Sequence, residues 1–215
     1  MQTHLKVGTR PSPLAIKQVE EIERLFPFLS FEVIAIKTKG DIDKHNPLSR
    51  FEGTDFFTRE IEQALLLRQI DIAVHSAKDL EEDMPDNLMV VLMTNSISQD
   101  ECLVSKSEET LKELPFGAII GTSSIKRKQA LSGYRSDLVI KDIRGNIDER
   151  LRQLDNGDFD AIVVAHAALI RLGYENRISQ IIPEEIIPPH PLQGRIAIQI
   201  RKDRWDLREI FQENK

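Results

Sequence analysis

Apolar runs and amphipathic stretches alternate along most of this chain, and this pattern predicts alternating strands and helices. Residues 4–10 and 31–38 are typical of strands. Between them, the helical spacing of the apolar positions predicts a helix that begins at Ser12-Pro13 and continues to Phe26. Repeated strand–helix alternation of this kind indicates an α/β protein.

The alternation continues after a polar stretch at residues 39–54, which predicts a functional loop because it is longer than most connections. The following residues predict a helix at 55–69, a strand at 70–77 and another strand at 88–93. The strand at 70–77 is almost continuously apolar. Such strands are typically buried on both faces, as in a parallel sheet.

A polar connector at 94–101 precedes a second series of the same kind. Its predicted elements are strands at 101–106, 118–124, 138–143 and 159–166, with helices from about 123 and at 146–157. The proline-rich segment 181–194 interrupts regular structure, and a strand at 195–201 and a helix from about 205 follow it. Because the late strand can rejoin the first series, we expect two α/β domains, residues 1–94 with 190–215, and residues 95–189.

The composition is that of a globular protein from a reducing compartment. With 215 residues, 40% hydrophobic and 30% charged, the chain can bury a core without disulfide staples. Its single cysteine, Cys102, excludes an internal disulfide. No apolar run approaches ~18 residues, and the N-terminal residues lack the apolar region of a secretory signal. We therefore expect a cytoplasmic protein with no membrane partner.

The formal net charge of −6 disfavours a general nucleic-acid-binding or membrane-binding surface. Three turns that follow predicted strands are nonetheless basic. Helix starts at these turns offer unpaired N–H groups and a partial positive charge, which favour anions. We therefore expect an anionic small molecule to bind at the cations of these turns, which are Arg10, Lys126, Arg127, Arg144 and Arg150.

Two interpretations remain open for several of these turns. Thr122, Ser123 and Ser124 can cap a helix or bind an anion, although two cations in the next turn oppose the helix dipole and favour a ligand. Arg144 and Arg150 can likewise bind a ligand or pair with nearby acidic side chains.

Asp79 follows the apolar strand at 70–77 and is either a turn residue or a functional carboxylate. A buried carboxyl can donate a proton, and an ionised one can stabilise a developing cation. His75 lies inside the same strand and is expected to be a core histidine. No histidine or cysteine spacing predicts a metal site.

The motifs taken together resemble one family, hydroxymethylbilane synthase (porphobilinogen deaminase). They are GTRPSPLAI, TKGD, DIAVHSAKDL, GTSSIKRKQ, IRGNIDERL, LDNGDFDAIVVAHAAL with IRLG, and LQGRIAIQIR, in order over residues 5–201. The resemblance implies two periplasmic-binding-protein-like (type II) α/β domains with a hinged interdomain cleft. It also implies that four porphobilinogen units are condensed to a linear tetrapyrrole with release of ammonia.

The resemblance also implies roles for individual residues. Asp79 matches the catalytic aspartate, which stabilises the positively charged pyrrole nitrogen and assists loss of the amine. Gln193 matches a glutamine of the interdomain hinge, and Arg50 and Phe57 match residues of an active-site loop. Contacts to substrate or cofactor carboxylates are implied for Arg10, Ser12, Lys78, Thr122, Ser124, Arg127, Arg144, Arg150 and Arg171. Ser123 and Lys126 are further binding candidates because they lie in the same basic turn.

The chain departs from the family pattern at several points. The family's third domain, with the cysteine that holds a dipyrromethane primer, has no counterpart here, and Cys102 lies in a different motif. Lys126 stands where the family usually has arginine. Residues 51–55 replace a Gly-Gly-Lys-Gly stretch of the loop, and residues 191–194 lack the first glycine of the hinge motif. These departures predict weak or absent activity for the 215 residues.

Three functions are therefore considered. The first is a porphobilinogen deaminase homologue of tetrapyrrole and haem biosynthesis, expected to be a monomer. The second is a non-catalytic binder of tetrapyrrole precursors or other polycarboxylates. The third, a solute-receptor or regulator effector domain, is disfavoured by the lack of a signal sequence and of a DNA-binding segment.

Overall fold

The computed structural model describes residues 3–43, 55–81 and 83–213. The strands are β1 (Thr3–Thr9), β2 (Leu29–Ala35), β3 (Ile72–Ser76), β4 (Leu88–Met93), β5 (Glu101–Ser105), β6 (Ile119–Gly121), β7 (Val139–Lys141), β8 (Ala161–Ala165), β9 (Gln180–Ile182) and β10 (Ile196–Arg201). The helices are α1 (Pro13–Leu25), α2 (Lys39–Ile42), α3 (Arg59–Leu66), α4 (Ile125–Tyr134), α5 (Ile147–Asn156), α6 (His166–Leu172) and α7 (Trp205–Glu213). Short 3-10 helices at Ala77–Asp79 and Glu175–Arg177 follow β3 and α6.

The described residues divide into two compact units. The first unit contains the residues up to 43, those of 55–96 and those from 195 onward, and the second contains 97–194. In the described part of the chain, the chain crosses from the first unit to the second between residues 96 and 97 and crosses back between residues 194 and 195. The sequence predicts these two crossings between 94 and 95 and between 189 and 190.

Each unit is built on a five-stranded mixed sheet. The strand order is β2-β1-β3-β10-β4 in the first unit and β7-β6-β8-β5-β9 in the second. In each sheet three neighbouring strands are parallel, whereas β10 and β5 run antiparallel to both of their neighbours. These two strands are also the first to follow each crossing. The predicted class, two α/β units, is confirmed.

Apolar side chains cover both faces of the first sheet. On one face, Phe26, which directly follows α1, and Phe211 of α7 belong to the cluster that contains Val74 of β3, and their rings meet edge to face with centroids 5.1 Å apart. On the other face, Ile61 of α3 packs in a cluster with Ala73. Because β3 is covered on both sides, its sequence has no polar alternation.

The second sheet is also covered on both faces. Adjacent residues of β8 belong to different clusters, Val163 with Leu131 of α4 and Val164 with Leu154 of α5. This alternation follows from the twofold side-chain period of a strand.

Several boundaries differ from those that the sequence predicts. The strand predicted at 31–38 ends at Ala35, and the helix predicted at 55–69 covers Arg59–Leu66. The stretch from 39 begins with the short helix α2. The sequence pattern does not predict α6 or β9. The N-cap position of α6 is Ala165, directly at the end of β8, so no polar capping residue marks its start.

Within the described ranges, no helix combines the length and apolar character needed to cross a bilayer. The same ranges contain no group of three or more His, Cys, Asp or Glu side chains placed to hold a metal ion.

Candidate functional site

In the first unit, the turns at the carboxyl ends of three neighbouring strands bring Arg10, Asp41 and Asp79 together. Arg10 directly follows β1, Asp41 lies on α2 after β2, and Asp79 ends the 3-10 helix after β3. Since β1 is parallel to both neighbours, the three turns share one edge of the sheet. Open α/β sheets commonly bind ligands at this edge.

Arg10 contacts the two carboxylates in different ways. Its Nε lies 3.1 and 3.3 Å from the oxygens of Asp41, and its Nη2 donates to Asp41 Oδ1 at 2.5 Å. Its Nη1 lies 4.0 Å from Asp79 Oδ2. The Asp41 side chain is 15% exposed and that of Asp79 is 28% exposed. Asp79 is therefore the carboxylate that remains more accessible to a ligand.

Asp41 is ionised in this environment. Burial alone would raise the pKa of the Asp41 carboxyl, but the hydrogen bonds and charge of Arg10, together with hydrogen bonds from Thr38, hold it below its ordinary value. The Oδ2 atom of Asp41 accepts from Thr38 N at 3.1 Å and from Thr38 Oγ1 at 2.9 Å. Asp41 is thus a fixed negative partner for Arg10.

Phe57, one of the two predicted loop residues, contacts the same arginine. The Cζ atom of Arg10 lies 4.3 Å from the centroid of the Phe57 ring, a distance at which a cation is attracted to an aromatic face. Arg50, the other predicted loop residue, lies outside the described residues, as do residues 51–54.

Ser12, Lys78 and His75 complete the predicted residues of this region. Ser12 is the N-cap of α1, where its Oγ accepts from Ala15 N at 3.2 Å. Lys78 is half-buried in the 3-10 helix beside Asp79. His75 is buried in β3, and burial, reinforced by the charge of Arg10, lowers its pKa to about 4. His75 is therefore a neutral core residue, as the sequence predicts.

In the second unit, the three hydroxyl residues after β6 differ in accessibility. Thr122 and Ser123 are buried, whereas Ser124 is half-buried at the N-cap position of α4. The Ser123 hydroxyl donates to Ile143 O at 2.6 Å and accepts from Ile143 N at 3.1 Å, so it joins the turn after β6 to the turn after β7. The Ser124 side chain makes no capping hydrogen bond.

The two cations that follow these hydroxyls have different roles. Lys126 is exposed in the first turn of α4, which contains no acidic residue. Arg127 instead forms a fork with Glu101, with Nε–Oε1 3.0 Å and Nη2–Oε2 2.6 Å, and its Nη1 donates to Val163 O at 3.2 Å. The protein's own acceptors thus bind three nitrogens of Arg127.

The turn between β7 and α5 contains a reciprocal capping box. Glu149 N donates to Asn146 Oδ1 at 2.9 Å, and Asn146 N donates to Glu149 Oε2 at 2.8 Å. Gly145 has a φ of +103°, a conformation that favours glycine. Arg150 Nε donates to Gly145 O at 2.8 Å, and half-buried Arg144 lies in the same turn.

Gln193 lies in the connector that leaves the second unit, and Arg171 of α6 contacts the same connector. Gln193 is buried, and its Nε2 donates to Gln99 O at 2.8 Å and to Asp100 O at 3.1 Å. Arg171 Nη2 donates to Gly194 O at 2.9 Å. Gln193 therefore links the connector that enters this unit to the one that leaves it.

Sequence reasoning missed Asp41 as a residue of the site. The signal that could have identified it is the spacing of Thr38 and Asp41, because a Ser/Thr followed three residues later by an acid is typical of a helix start. It also missed the cluster in which Ser98 Oγ lies 3.1 Å from His166 Nδ1 and 3.0 Å from Asp100 Oδ2.

Comparison with known proteins matches residues 5–209 to a family model described as porphobilinogen deaminase, dipyromethane cofactor binding domain. Relatives named porphobilinogen deaminase are 39% identical over 214 residues in Chlorobium limicola and 43% identical over 202 residues in Brevibacillus brevis. These matches cover 98% and 92% of this chain and 68% and 65% of the relatives. The chain thus spans about two thirds of the length of the curated relatives that it matches.

Solved structures with a similar fold have little sequence identity. A putative lipoprotein from Actinomyces odontolyticus matches with a TM-score of 0.56 and 16% identity, covering 100% of this chain and 93% of that one. A putative methionine-binding lipoprotein from Bacillus subtilis matches with a TM-score of 0.54 and 13% identity, covering 98% and 90%. These neighbours have the type II periplasmic-binding-protein fold, as the sequence resemblance implies.

Proposed function

Because the chain belongs to the porphobilinogen deaminase family of tetrapyrrole biosynthesis, we propose that it binds porphobilinogen and the pyrrole chains made from it. We propose that it adds four porphobilinogen units one after another to a dipyrromethane primer, with one ammonia released at each addition. Water then cleaves the bond between the primer and the new tetrapyrrole, which supplies the hydroxyl of hydroxymethylbilane and regenerates the dipyrromethane. Each condensation breaks a carbon–nitrogen bond and forms a carbon–carbon bond between pyrrole units, so the site must stabilise positive charge on a pyrrole as the amine leaves.

The pairing of Arg10 with Asp79 is the observation that supports this proposal most directly. The Asp79 carboxylate and the Arg10 guanidinium lie 4.0 Å apart, and both are partly exposed. The carboxylate suits the pyrrole nitrogen, and the guanidinium suits an acidic side chain of the substrate. In the proposed mechanism Asp79 stabilises the pyrrole cation electrostatically, and Arg10 binds an acetate or propionate group. Charge-assisted hydrogen bonds of this kind contribute about 1.5–3 kcal/mol each.

The start of α4 supports binding of further carboxylates in the second unit. Its backbone N–H groups, the Ser124 hydroxyl and the exposed Lys126 ammonium are all donors, and the first turn contains no acidic residue to compete with a ligand. This donor set suits the carboxylates of a dipyrromethane cofactor, which in this family primes the growing chain. Arg144, in the turn after the neighbouring strand β7, and Arg150, in the first turn of α5, are proposed as further cofactor contacts.

Cys102, the single cysteine of the chain, is unsuited to holding that cofactor covalently. Its side chain has no exposed surface, and burial, together with the charges of Glu101 and Asp100, raises the pKa of the thiol to about 12. Since the thiolate is the reactive form, this side chain is inert at neutral pH. We propose that the donors at the start of α4 bind dipyrromethane without a covalent bond to Cys102.

Incubation of the purified chain with porphobilinogen, with and without added dipyrromethane, tests the proposal through the absorbance of the tetrapyrrole product. We expect turnover only when dipyrromethane is added, and we expect Asp79→Asn to abolish turnover while the affinity for dipyrromethane, measured by calorimetry, changes little. Failure of the wild-type chain to bind either compound would refute the proposal.

The inert environment of Cys102 also favours a second candidate, a non-catalytic binder of tetrapyrrole precursors. Such a protein would bind dipyrromethane with the same cations but would form no tetrapyrrole under any of these conditions. The same pair of measurements therefore separates the two functions.

A further inference from the structure

Groups of its own unit hold the Arg10 guanidinium on one edge and one face. Asp41 occupies the fork formed by Nε and Nη2, and the Phe57 ring covers one face. The ring fits closely against Gly40, where an added Cβ would lie 2.1 Å from Phe57 Cε1. These contacts do not cover the end of the guanidinium that carries Nη1. That nitrogen lies 4.0 Å from Asp79 Oδ2.

Asp41 is itself anchored by two hydrogen bonds from Thr38. Both hydrogen bonds from Thr38 go to Oδ2, while the shortest contact with Arg10 is to Oδ1. Thr38 is fully buried. The two oxygens of Asp41 thus connect a buried residue of the unit to the guanidinium.

We propose that Asp41 is a positioning residue, which turns the Nη1 end of Arg10 toward Asp79 and toward a carboxylate of the incoming pyrrole. This inference rests on the proposed function, in which Arg10 is a ligand contact. A guanidinium can form a fork with one carboxylate at one edge and still donate hydrogen bonds to a second carboxylate at its end. Because Asp41 already restricts the arginine, a ligand does not have to immobilise a flexible side chain.

Asp41 also holds the Nη1 end of Arg10 4.0 Å from Asp79, which is beyond direct hydrogen-bond distance. If Asp41 were removed, Asp79 would be the nearest remaining carboxylate to Arg10 among those that pair with it in the described residues. A direct fork between Arg10 and Asp79 would then occupy both groups. Asp41 acts only through Arg10 and contacts no reacting atom.

The test compares Asp41→Asn with Asp137→Asn, a matched control in the second unit. Asp137 also forms a fork with an arginine, Arg135, at 3.0 and 2.5 Å, and that pair has similar exposure. For ligand-free protein, NMR of the arginine Nε–H groups measures exchange at Arg10. Calorimetry then measures binding of dipyrromethane, and a urea unfolding curve verifies that each variant is folded.

We expect Asp41→Asn to accelerate exchange of the Arg10 Nε–H and to weaken dipyrromethane binding about 3- to 10-fold, the range that corresponds to the cost of ordering one flexible side chain. Asp137→Asn should match the wild type in both measurements. Thr38→Val, which loosens Asp41 without changing its charge, should shift both in the same direction by less, and it replaces Asp41→Asn if that variant does not fold.

Three results would overturn the positioning role. They are unchanged exchange at Arg10, faster exchange with unchanged affinity, and tighter binding, which would mean that Asp41 competes with the ligand. Arg10→Gln separates this inference from the proposed function. If Arg10→Gln binds dipyrromethane as well as the wild type, the Arg10 contact and the positioning role of Asp41 both fail, while binding of dipyrromethane by the chain stands. If the wild type does not bind, the proposed function fails and the positioning role fails with it.

Discussion

Three consecutive hydroxyl side chains before α4 illustrate how adjacent residues of one motif acquire different functions. Thr122 Oγ1 is buried and has no hydrogen-bond partner among the described residues. Ser123 Oγ is also buried but is bonded to both backbone polar atoms of Ile143. Ser124 is half-buried at the helix start without a capping bond. Only the third of these hydroxyls is open to a ligand in this conformation.

These environments predict opposite changes in stability for adjacent substitutions. Thr122→Val removes an unsatisfied buried hydroxyl and should raise the free energy of unfolding by about 1 kcal/mol. Ser123→Ala leaves the N–H and C=O of Ile143 without their partner and should lower it by about 1–3 kcal/mol. Ser124→Ala should change stability little but weaken dipyrromethane binding. Urea unfolding and calorimetry measure both quantities, and a loss of stability in Thr122→Val would contradict the assignment.

The sequence could predict a residue's role only where its partner is local. Asn146 is recognisable as a cap because its partner, Glu149, is three residues away. The sequence predicts Arg127 as a ligand cation but does not predict its pairing with Glu101, which lies 26 residues away on β5. The interaction of Arg10 with Asp41, 31 residues apart, was missed for the same reason.

At the scale of single elements, the turn that leads into α5 depends on Gly145. A Cβ at this position would lie 2.7 Å from Glu149 Oε2 and 2.8 Å from Glu149 Cβ. The second of these atoms is close to the helix backbone and cannot easily move away. Glu149 is also half of the capping box, so a side chain at 145 would disturb the helix start and the backbone that carries Arg144.

Gly145→Ala should therefore lower the free energy of unfolding by about 2 kcal/mol, since a non-glycine residue at positive φ costs about 1–3 kcal/mol. Gly133→Ala is the matched control, because Gly133 lies in α4 with nothing within 4 Å of an added Cβ. That substitution should raise stability by roughly 0.5–1 kcal/mol, the usual helix preference for alanine. Equal effects of the two substitutions in urea unfolding would show that the conformation of Gly145 is not required.

Helix ends that have a local capping signal were predicted well. α1 begins after Ser12 and α5 ends before Gly157, and both boundaries depend on residues whose capping roles are visible in the sequence. α6 lacks such a signal, because it continues from a buried strand through alanines. The bounds of α3 were overextended because apolar spacing continues through Leu67 after the helix has ended.

At the scale of the whole molecule, alternation along the chain predicted two α/β units but not how strands are placed within them. β10 lies between β3 and β4, although more than 100 residues separate it from β4 in sequence. Its antiparallel direction follows from tertiary pairing, which no local pattern encodes. A hinged cleft between the units stays a prediction.

This topology predicts that the two units differ in their ability to fold alone. Residues 97–194 are continuous and include every strand of the second sheet, so this fragment should unfold cooperatively in urea. A fragment of residues 1–96 lacks β10, which lies in the interior of the first sheet, and we expect this fragment not to unfold cooperatively. Thr94 N donates to Ile196 O and Ile196 N donates to Thr94 Oγ1, both at 2.9 Å, so the chain ends at 96 and 195 can be joined by a short hairpin. A fragment in which two glycines join residues 1–96 to residues 195–215 should therefore unfold cooperatively. Cooperative unfolding of 1–96 alone, monitored by circular dichroism, would show that β10 is dispensable for the first unit.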